Sequence, residues 1–249
     1  MQVLLFLLIG VVGGFLSGLL GIGGGVVLIP LLVYIGHTPI KIATSVSMVV
    51  IIFASCSGLL GHYRGRNIHV PTGIWMGGAG ILSAFGGSFI SGVVSDRILY
   101  YFYTGLVASG IIMLLFSQAQ DSSTAGEFQF RRLHTVLVGI LKGLLTGLLG
   151  IGGGFIVVPF MIYLLNMPTL LAIGTSLLVI LFSAIAGFFG RLATGQFNLG
   201  ITIWVTLATI PAAQMGAWIA QKTNPRLLRF FLVILLGLIL AKMIGSLFL

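Results

Sequence analysis

The sequence predicts an all-α polytopic membrane protein with two homologous, inverted repeats of about four apolar segments each, the first segment of each repeat being broken at GLLGIGGG. Three observations support this prediction. Of the 249 residues, 58% are hydrophobic and 6% are charged, whereas about a quarter of the residues of a soluble domain are charged. Eight apolar runs are long enough to cross a hydrocarbon layer of roughly 30 Å. The second half of the chain also repeats the first.

The apolar runs follow one another with short gaps. They occupy residues 3–35, 40–60, 70–94, 97–117, 134–165, 170–190, 198–221 and 226–249. The first run lacks the basic start and the small-residue cleavage site of a signal peptide, so we expect it to be retained. The stretch between the fourth and fifth runs, QAQDSSTAGEFQFRR, resembles a linker. These limits predict a first transmembrane repeat over 1–117, a polar linker over 118–133 and a second repeat over 134–249.

The two halves superpose in one register, which places Gly18 on Gly147 and is called the repeat register below. It sets GLLGIGGG of residues 18–25 on the same eight letters at residues 147–154. Further identities recur in this register: Pro30 and Pro159, Tyr34 and Tyr163, Trp75 and Trp204, Arg97 and Arg226. The Thr-Ser pair at 44–45 aligns with the pair at 175–176 only if two residues are inserted in the second half. Four runs in each half therefore correspond.

Each GLLGIGGG sequence interrupts an apolar run and is followed five residues later by a proline. Each glycine costs a helix about 1 kcal/mol relative to alanine, so we expect the backbone to open there. Irregular backbone at membrane depth must be buried in protein or line a wet cavity. A matched pair of such breaks indicates a transporter's binding site. For Gly14, Gly18, Gly143 and Gly147, a helix-packing face is the alternative.

Charge placement favours inverted repeats. If each broken run crosses the membrane once, the loop cations divide five against five. If each broken run turns back at its glycines, the division is seven against three: Arg64, Arg66, Arg131, Arg132, Lys222, Arg226 and Arg229 against Lys41, Arg97 and Arg191. Cytoplasmic loops are rich in Lys and Arg, so the linker is predicted inside and both termini outside. Lys142 and Lys242 are omitted because we expect them near the ends of runs, where lysine reaches the interface.

The acidic residues indicate the charge of the solute. Asp121 and Glu127 lie in the linker, and Asp96 lies between two runs beside Arg97, where a helix cap or a local ion pair explains it. Without a carboxylate at mid-membrane, a cation site is disfavoured. Oriented N–H groups, hydroxyls and the positive ends of half-helices bind anions instead. We therefore predict a small anionic substrate.

The candidate substrate-binding residues combine the glycines of both breaks with the two Thr-Ser pairs that begin the next runs. They are Gly21, Gly23, Gly24, Gly25, Thr44, Ser45, Gly150, Gly152, Gly153, Gly154, Thr175 and Ser176. Glycine lets an oxyanion approach backbone amides closely. Ser17 and Thr146 are a further pair of hydroxyls, although such side chains often bond the carbonyl of the preceding helical turn.

Other kinds of site have no support in the sequence. Dinucleotide, phosphate-loop and Gly-x-Ser-x-Gly motifs are absent, so we expect no enzyme activity, no catalytic residues and no cofactor. No His/Cys spacing is typical of a metal site. We expect His37, His62, His69 and His134 at the interface and Cys56 to be buried. The basic residues are dispersed, so the expected partner is the lipid bilayer and not nucleic acid. The sequence does not determine whether a homo-oligomer forms.

The duplicated GLLGIGGG, the proline after each copy, the AIGTS sequence at 172–176 and the Gly-x-x-Gly at the end of that run resemble the sulfite exporter TauE/SafE family. The resemblance covers essentially the whole chain, but the first half has Ala43 directly before Thr44, without the glycine. It implies a multi-pass protein of the cell inner (plasma) membrane that moves sulfur-containing oxyanions such as sulfite, sulfoacetate or other organosulfonates. The primary hypothesis is a secondary transporter, often an exporter, working by alternating access. The alternative is a passive channel for anions or small solutes.

Overall fold

The computed structural model describes residues 2–20, 23–116, 131–193, 195, 197–220, 222–223 and 225–247. Within these ranges the chain forms α1 (Gln2–Leu20), α2 (Gly25–Pro30), α3 (Ile40–Arg64), α4 (Val70–Val93), α5 (Asp96–Phe116), α6 (Arg132–Leu149), α7 (Gly154–Leu164), α8 (Thr169–Ala193), α9 (Leu199–Ala220) and α10 (Pro225–Leu247). A π-helical turn, Leu31–Ile35, continues α2.

The helices confirm the all-α polytopic membrane class. In the described ranges, six are long and apolar enough to cross a membrane, namely α1, α3, α4, α6, α8 and α9. No β-strand occurs in these ranges. Many large apolar side chains lie on the outside, among them Leu82 with 83% and Val93 with 90% of its surface exposed. Such a surface is stable only against lipid.

The helix positions follow the repeat register. α2 and α7, α3 and α8, α4 and α9, and α5 and α10 all start at residues that this register aligns. α3 and α8 start at aligned residues and each have 25 residues, so aligning them requires no inserted residues. The two-residue insertion expected in the second half is therefore wrong. In the uninterrupted register, Ser176 corresponds to Ser47 and Thr175 to Val46.

Each broken run is a helical hairpin. A β-carbon added to Gly24 would lie 2.7 Å from the Gly13 carbonyl oxygen, and one on Gly36 would lie 3.2 Å from the Phe6 ring. The segment after the break therefore returns along α1. α7 likewise packs against α6. The chain thus turns back at its glycines, as the charge placement predicts.

The hairpin of each half is held by the other half. α1 packs most extensively on α9, and α6 on α4. Gly14 of α1 lies against Thr209, and Gly143 of α6 lies against Gly80. Gly18 and Gly147 contact the other half's backbone in the same way, at Ala213 and Ala84. These four glycines therefore form helix-packing faces, because any side chain would push the backbones apart.

α3 and α8 cross the centre of the bundle in opposite directions. Gly174, near the start of α8, lies against His62, near the end of α3. Farther along α8, Gly187 lies against Met48, nearer the start of α3. These two helices therefore pack against each other in antiparallel orientation.

Some expectations about single residues need correction or fall outside the description. Cys56 is exposed on the outer face of α3 and not buried, because hydropathy does not say which face of a helix meets lipid. Asp96 pairs with Lys41 of α3 at 3.4 Å. Asp121 and Glu127 lie outside the described residues, as does most of the predicted linker, and α6 already begins at its Arg132.

Candidate functional site

The glycine breaks of the two halves meet in the middle of the bundle. A β-carbon on Gly23 would lie 3.6 Å from Gly152 Cα, and one on Gly25 would lie 2.7 Å from the Ile151 carbonyl oxygen. The two hairpin tips therefore touch through their backbones. Glycine is required here because side chains would separate the tips.

Both returning helices begin with a left-handed N-cap glycine. Gly24 has φ 69° and Gly153 has φ 71°, a conformation that only glycine adopts without strain. The helices start at Gly25 and Gly154, the last glycines of the two GLLGIGGG sequences. The first amides of each returning helix therefore lie at the break, where the helix dipole favours negative charge.

A pair of equivalent isoleucines packs against the tips. Ile51 of α3 and Ile180 of α8 are both buried, and each would lie 3.3 Å from a β-carbon on Gly152. Ile180 would contact a β-carbon on Gly23 at the same distance. The contact between the tips is thus closed by apolar side chains from the middle of both central helices.

Two equivalent hydroxyls beside the N-cap glycines are buried without a partner. Ser17 Oγ and Thr146 Oγ1 make no hydrogen bond within the described part of the chain. Ser17 lies 3.0 Å from the position of a β-carbon on Gly24, and Thr146 3.2 Å from that on Gly153. Neither makes the expected bond to the preceding turn. Burying an unpaired hydroxyl costs about 1–3 kcal/mol, so both are available to a ligand.

Lys142 is the residue that the sequence interpretation missed. It lies in the middle of α6 and is fully buried, so the expectation that it reaches the interface is wrong. Its Nζ donates to Ser183 Oγ at 2.8 Å and to the Val179 carbonyl oxygen at 3.2 Å. Its side-chain carbons contact Gly153, since Cγ would lie 2.9 Å from an added β-carbon there. A signal was present, because Lys142 precedes Thr146 by one helical turn.

The charge of Lys142 has no counter-ion in the described residues. The one ion pair recorded there joins Lys41 to Asp96. The two neutral acceptors account for two of the three ammonium protons. A buried, unpaired charge costs several kcal/mol, and a bound anion would offset that cost. The second hairpin tip therefore combines a basic side chain, a hydroxyl and helix amides.

The Thr-Ser pair of α3 lies at the second break. A β-carbon on Gly150 would lie 2.5 Å from the Thr44 carbonyl oxygen. The Thr44 and Ser45 hydroxyls both donate to the Lys41 carbonyl oxygen at 2.9 Å, within their own helix. Ser47, which the sequence interpretation omitted, donates to the Gly150 carbonyl oxygen. The uninterrupted repeat register would have identified it as the counterpart of Ser176.

The Thr-Ser pair of α8 is engaged with protein groups. Thr175 Oγ1 donates to the Leu171 carbonyl oxygen at 2.7 Å and accepts from the His69 backbone N–H at 2.8 Å. Ser176 Oγ donates to the Ile173 carbonyl oxygen at 2.7 Å. The bond from the His69 N–H ties α8 to the start of α4. Of the predicted glycines, Gly21 lies outside the described residues.

Comparisons with known proteins identify the family. The family model described as Sulfite exporter TauE/SafE matches residues 6–243. The chain is 31% identical over 212 residues to the probable membrane transporter protein YdhB of Bacillus subtilis (strain 168), covering 82% of this chain and 84% of that protein. It is 34% identical over 220 residues to a probable membrane transporter protein of Xylella fastidiosa (strain Temecula1), covering 85% and 82%. No solved structure matches it significantly. The chain belongs to the sulfite exporter TauE/SafE family of membrane transporters.

Proposed function

We propose that the protein is a secondary transporter that exports small sulfur-containing oxyanions, such as sulfite, sulfoacetate or other organosulfonates, across the cell inner membrane. The observation that carries the proposal is the buried Lys142 beside Gly153 and Thr146, without a carboxylate partner in the described residues. An ionisable side chain within the membrane is by default a functional-site candidate. A single cation of this kind selects an anion.

The substrate lies at the hairpin tips in this proposal. Lys142 Nζ donates its remaining proton to one oxygen of the anion, and the Thr146 hydroxyl donates to another. The first amides of α7, next to Gly153, are directed at the same place by the helix dipole. A sulfite or sulfonate group suits these donors, because its three oxygens point in different directions.

The tip of the first hairpin has an equivalent set of anion donors but lacks the lysine. Ser17 and Gly24 correspond to Thr146 and Gly153, but Gly13 stands where the second half has Lys142. An anion bound between the tips would therefore sit asymmetrically, closer to α6 than to α1. The anion would displace the contact between Gly23 and Gly152.

Alternating access follows from the way the halves are joined. We take the repeats to be inverted in the membrane, with the linker inside and both termini outside, which the antiparallel packing of α3 on α8 supports. Rocking one half, with the hairpin of the other half attached to it, would separate Ile51 from Ile180 on one side at a time. The proposed partners are the anion and the lipid bilayer.

A binding screen on purified protein tests the substrate class. Calorimetric titration with sulfite, sulfoacetate, acetate and phosphate is expected to show saturable binding of at least one sulfur oxyanion. Lys142→Met is expected to weaken that binding at least tenfold, whereas Lys222→Met, at an exposed lysine between α9 and α10, leaves it unchanged. Tighter binding of acetate or phosphate than of both sulfur anions would contradict the proposed substrate.

A further inference from the structure

His62 and Arg191 occupy equivalent positions in the two halves. The repeat register aligns them, and they lie in the last turns of α3 and α8. Both side chains are fully buried, so the interfacial position expected for His62 and the loop position expected for Arg191 are wrong. The two halves thus place different basic groups in the same internal site.

Arg191 closes the end of α6 that leads into the second break. Its Nη2 donates to the carbonyl oxygens of Gly147 at 3.3 Å and Leu148 at 2.9 Å. The last carbonyls of a helix carry the negative end of its dipole, and a cation there is stabilising. The tip of the second hairpin, which starts at Gly150, is therefore fixed by a permanent positive charge.

His62 lies at the equivalent end of α1 but does not close it. Gly58, one helical turn before His62, packs against Gly18, the counterpart of Gly147, with an added β-carbon 3.9 Å from Gly18 Cα. However, among the residues that the structure describes, neither ring nitrogen makes a hydrogen bond. Buried polar groups are rarely left in this state. The protonated ring has two N–H donors, and one of them can donate to a carbonyl at the end of α1, as Arg191 donates to carbonyls at the end of α6.

We propose that His62 is a proton-binding site through which proton uptake is coupled to anion binding, an inference that rests on the proposed function. A proton released by the buffer in the surrounding solution converts the ring to an imidazolium, one N–H of which donates to a carbonyl at the end of α1 and fixes the first hairpin tip beside Ser17. The tip then carries a positive charge toward the anion, as the second tip does. Proton and anion binding therefore strengthen each other by the same factor.

The helices packed around His62 carry few competing charges. α1 and α9 contain no titratable side chain, and α8 contains only Arg191, at the end far from Gly174 and His62. α2 contains none, and the π-turn after it holds Tyr34. α5 meets α3 near the other end of that helix, where Asp96 is already paired with Lys41.

The groups beyond the end of α3 complete this environment. Tyr63, Arg64 and Arg66 are exposed. His69 is partly buried, which lowers its pKa, and its Nδ1 accepts from the Thr72 backbone N–H, so this ring is neutral near pH 7. The nearby arginines disfavour a proton on His62, and a bound anion offsets their effect. Because Tyr63 and Arg64 are exposed, His62 is close to a water-accessible end of its helix.

Calorimetry in two buffers of different ionisation enthalpy tests this coupling. The probe is sulfoacetate, whose two acidic groups are both ionised at neutral pH, so any proton taken up enters the protein. Wild type is expected to take up as much as one proton per anion bound, and its affinity is expected to fall by up to about tenfold per pH unit as pH rises. His134→Gln, at an exposed histidine of α6, is the control and keeps both properties.

Three variants separate coupling from a structural role. His62→Gln is expected to bind sulfoacetate more weakly and without proton uptake. His62→Arg, which copies the second half, is expected to bind it tightly at all pH values without proton uptake. Arg191→His is expected to add a second proton. Sulfoacetate binding by wild type without proton uptake, or uptake that persists in His62→Arg or His62→Gln, would overturn the coupling alone. Absence of any sulfur-oxyanion binding by wild type would overturn the proposed function and this inference with it.

Discussion

The Lys142 side chain on α6 lies against Gly153, the N-cap of α7, with Cγ 2.9 Å from the position of a β-carbon on that glycine. The lysine side chain and the start of the returning helix therefore lie next to each other inside the bundle. In the described residues this place has no carboxylate. The proposed anion site rests on this arrangement.

Lys142→Met is expected to leave the anion-free protein as stable as wild type or more stable. Methionine has a similar volume and removes a buried charge that lacks a counter-ion. Sulfite or sulfoacetate should raise the melting temperature of wild type but not that of the variant, as measured by the thermal unfolding of purified protein. A variant that the anion stabilises as much as it stabilises wild type would contradict the assignment of Lys142.

Thr146→Val tests the unpartnered hydroxyl. Because Thr146 Oγ1 has no partner in the described residues, its removal should not lower the melting temperature but should weaken anion binding. Thr209→Val is the matched control, since Thr209 Oγ1 donates to the Val205 and Gly10 carbonyl oxygens at 2.8 and 3.0 Å. We expect the control to lose about 1 kcal/mol of stability and no affinity. A loss of affinity in Thr209→Val but not in Thr146→Val would place the anion elsewhere.

Substitutions at two adjacent glycines of α4, Gly86 and Gly87, distinguish the effect of helix packing from that of helix propensity. A β-carbon on Gly87 would lie 2.5 Å from the Leu144 carbonyl oxygen of α6, whereas one on Gly86 meets nothing within 4 Å. We expect Gly87→Ala to lower the melting temperature. We expect Gly86→Ala to raise it, because alanine stabilises an exposed helix position by about 1 kcal/mol relative to glycine. Equal melting temperatures for the two variants would show that α4 and α6 do not approach as closely as described.

Two exposed prolines test the inverted arrangement. Pro39 and Pro168 correspond in the repeat register and precede α3 and α8. In a Cys56→Ala background, a membrane-impermeant maleimide should label Pro39→Cys on intact cells. It should label Pro168→Cys only after permeabilisation. Labelling of both variants on intact cells, or of neither, would rule out inversion.

The fold class and the hairpin breaks could be predicted from the sequence because they depend on local properties. A long hydrophobic run predicts a helix that is buried or in contact with lipid. Consecutive glycines predict a break in a helix at their own position. The start of α7 at Gly154 is an example, since the three glycines before and including it determine where a regular helix can begin.

The depth and facing of single side chains could not be predicted in the same way. Lys142 and Cys56 both lie within apolar runs, yet the lysine faces α8 and the cysteine faces outward. Which face of a helix is buried depends on its partners, and α6 packs on a helix of the other half. The alignment of Thr44-Ser45 with Thr175-Ser176 failed for a related reason. It relied on the identity of two residues, whereas the uninterrupted helix register pairs Ser47 with Ser176.

Counterflow in proteoliposomes tests the central claim most directly. Vesicles loaded with unlabelled sulfite receive a trace of radiolabelled sulfite outside, with wild type, Lys142→Met or Lys222→Met in the membrane. We predict saturable uptake that internal sulfite accelerates, lost at least tenfold in Lys142→Met and kept in Lys222→Met. Uptake that neither saturates nor responds to internal sulfite would indicate a channel, and wild-type counterflow by Lys142→Met would contradict anion binding at the hairpin tips.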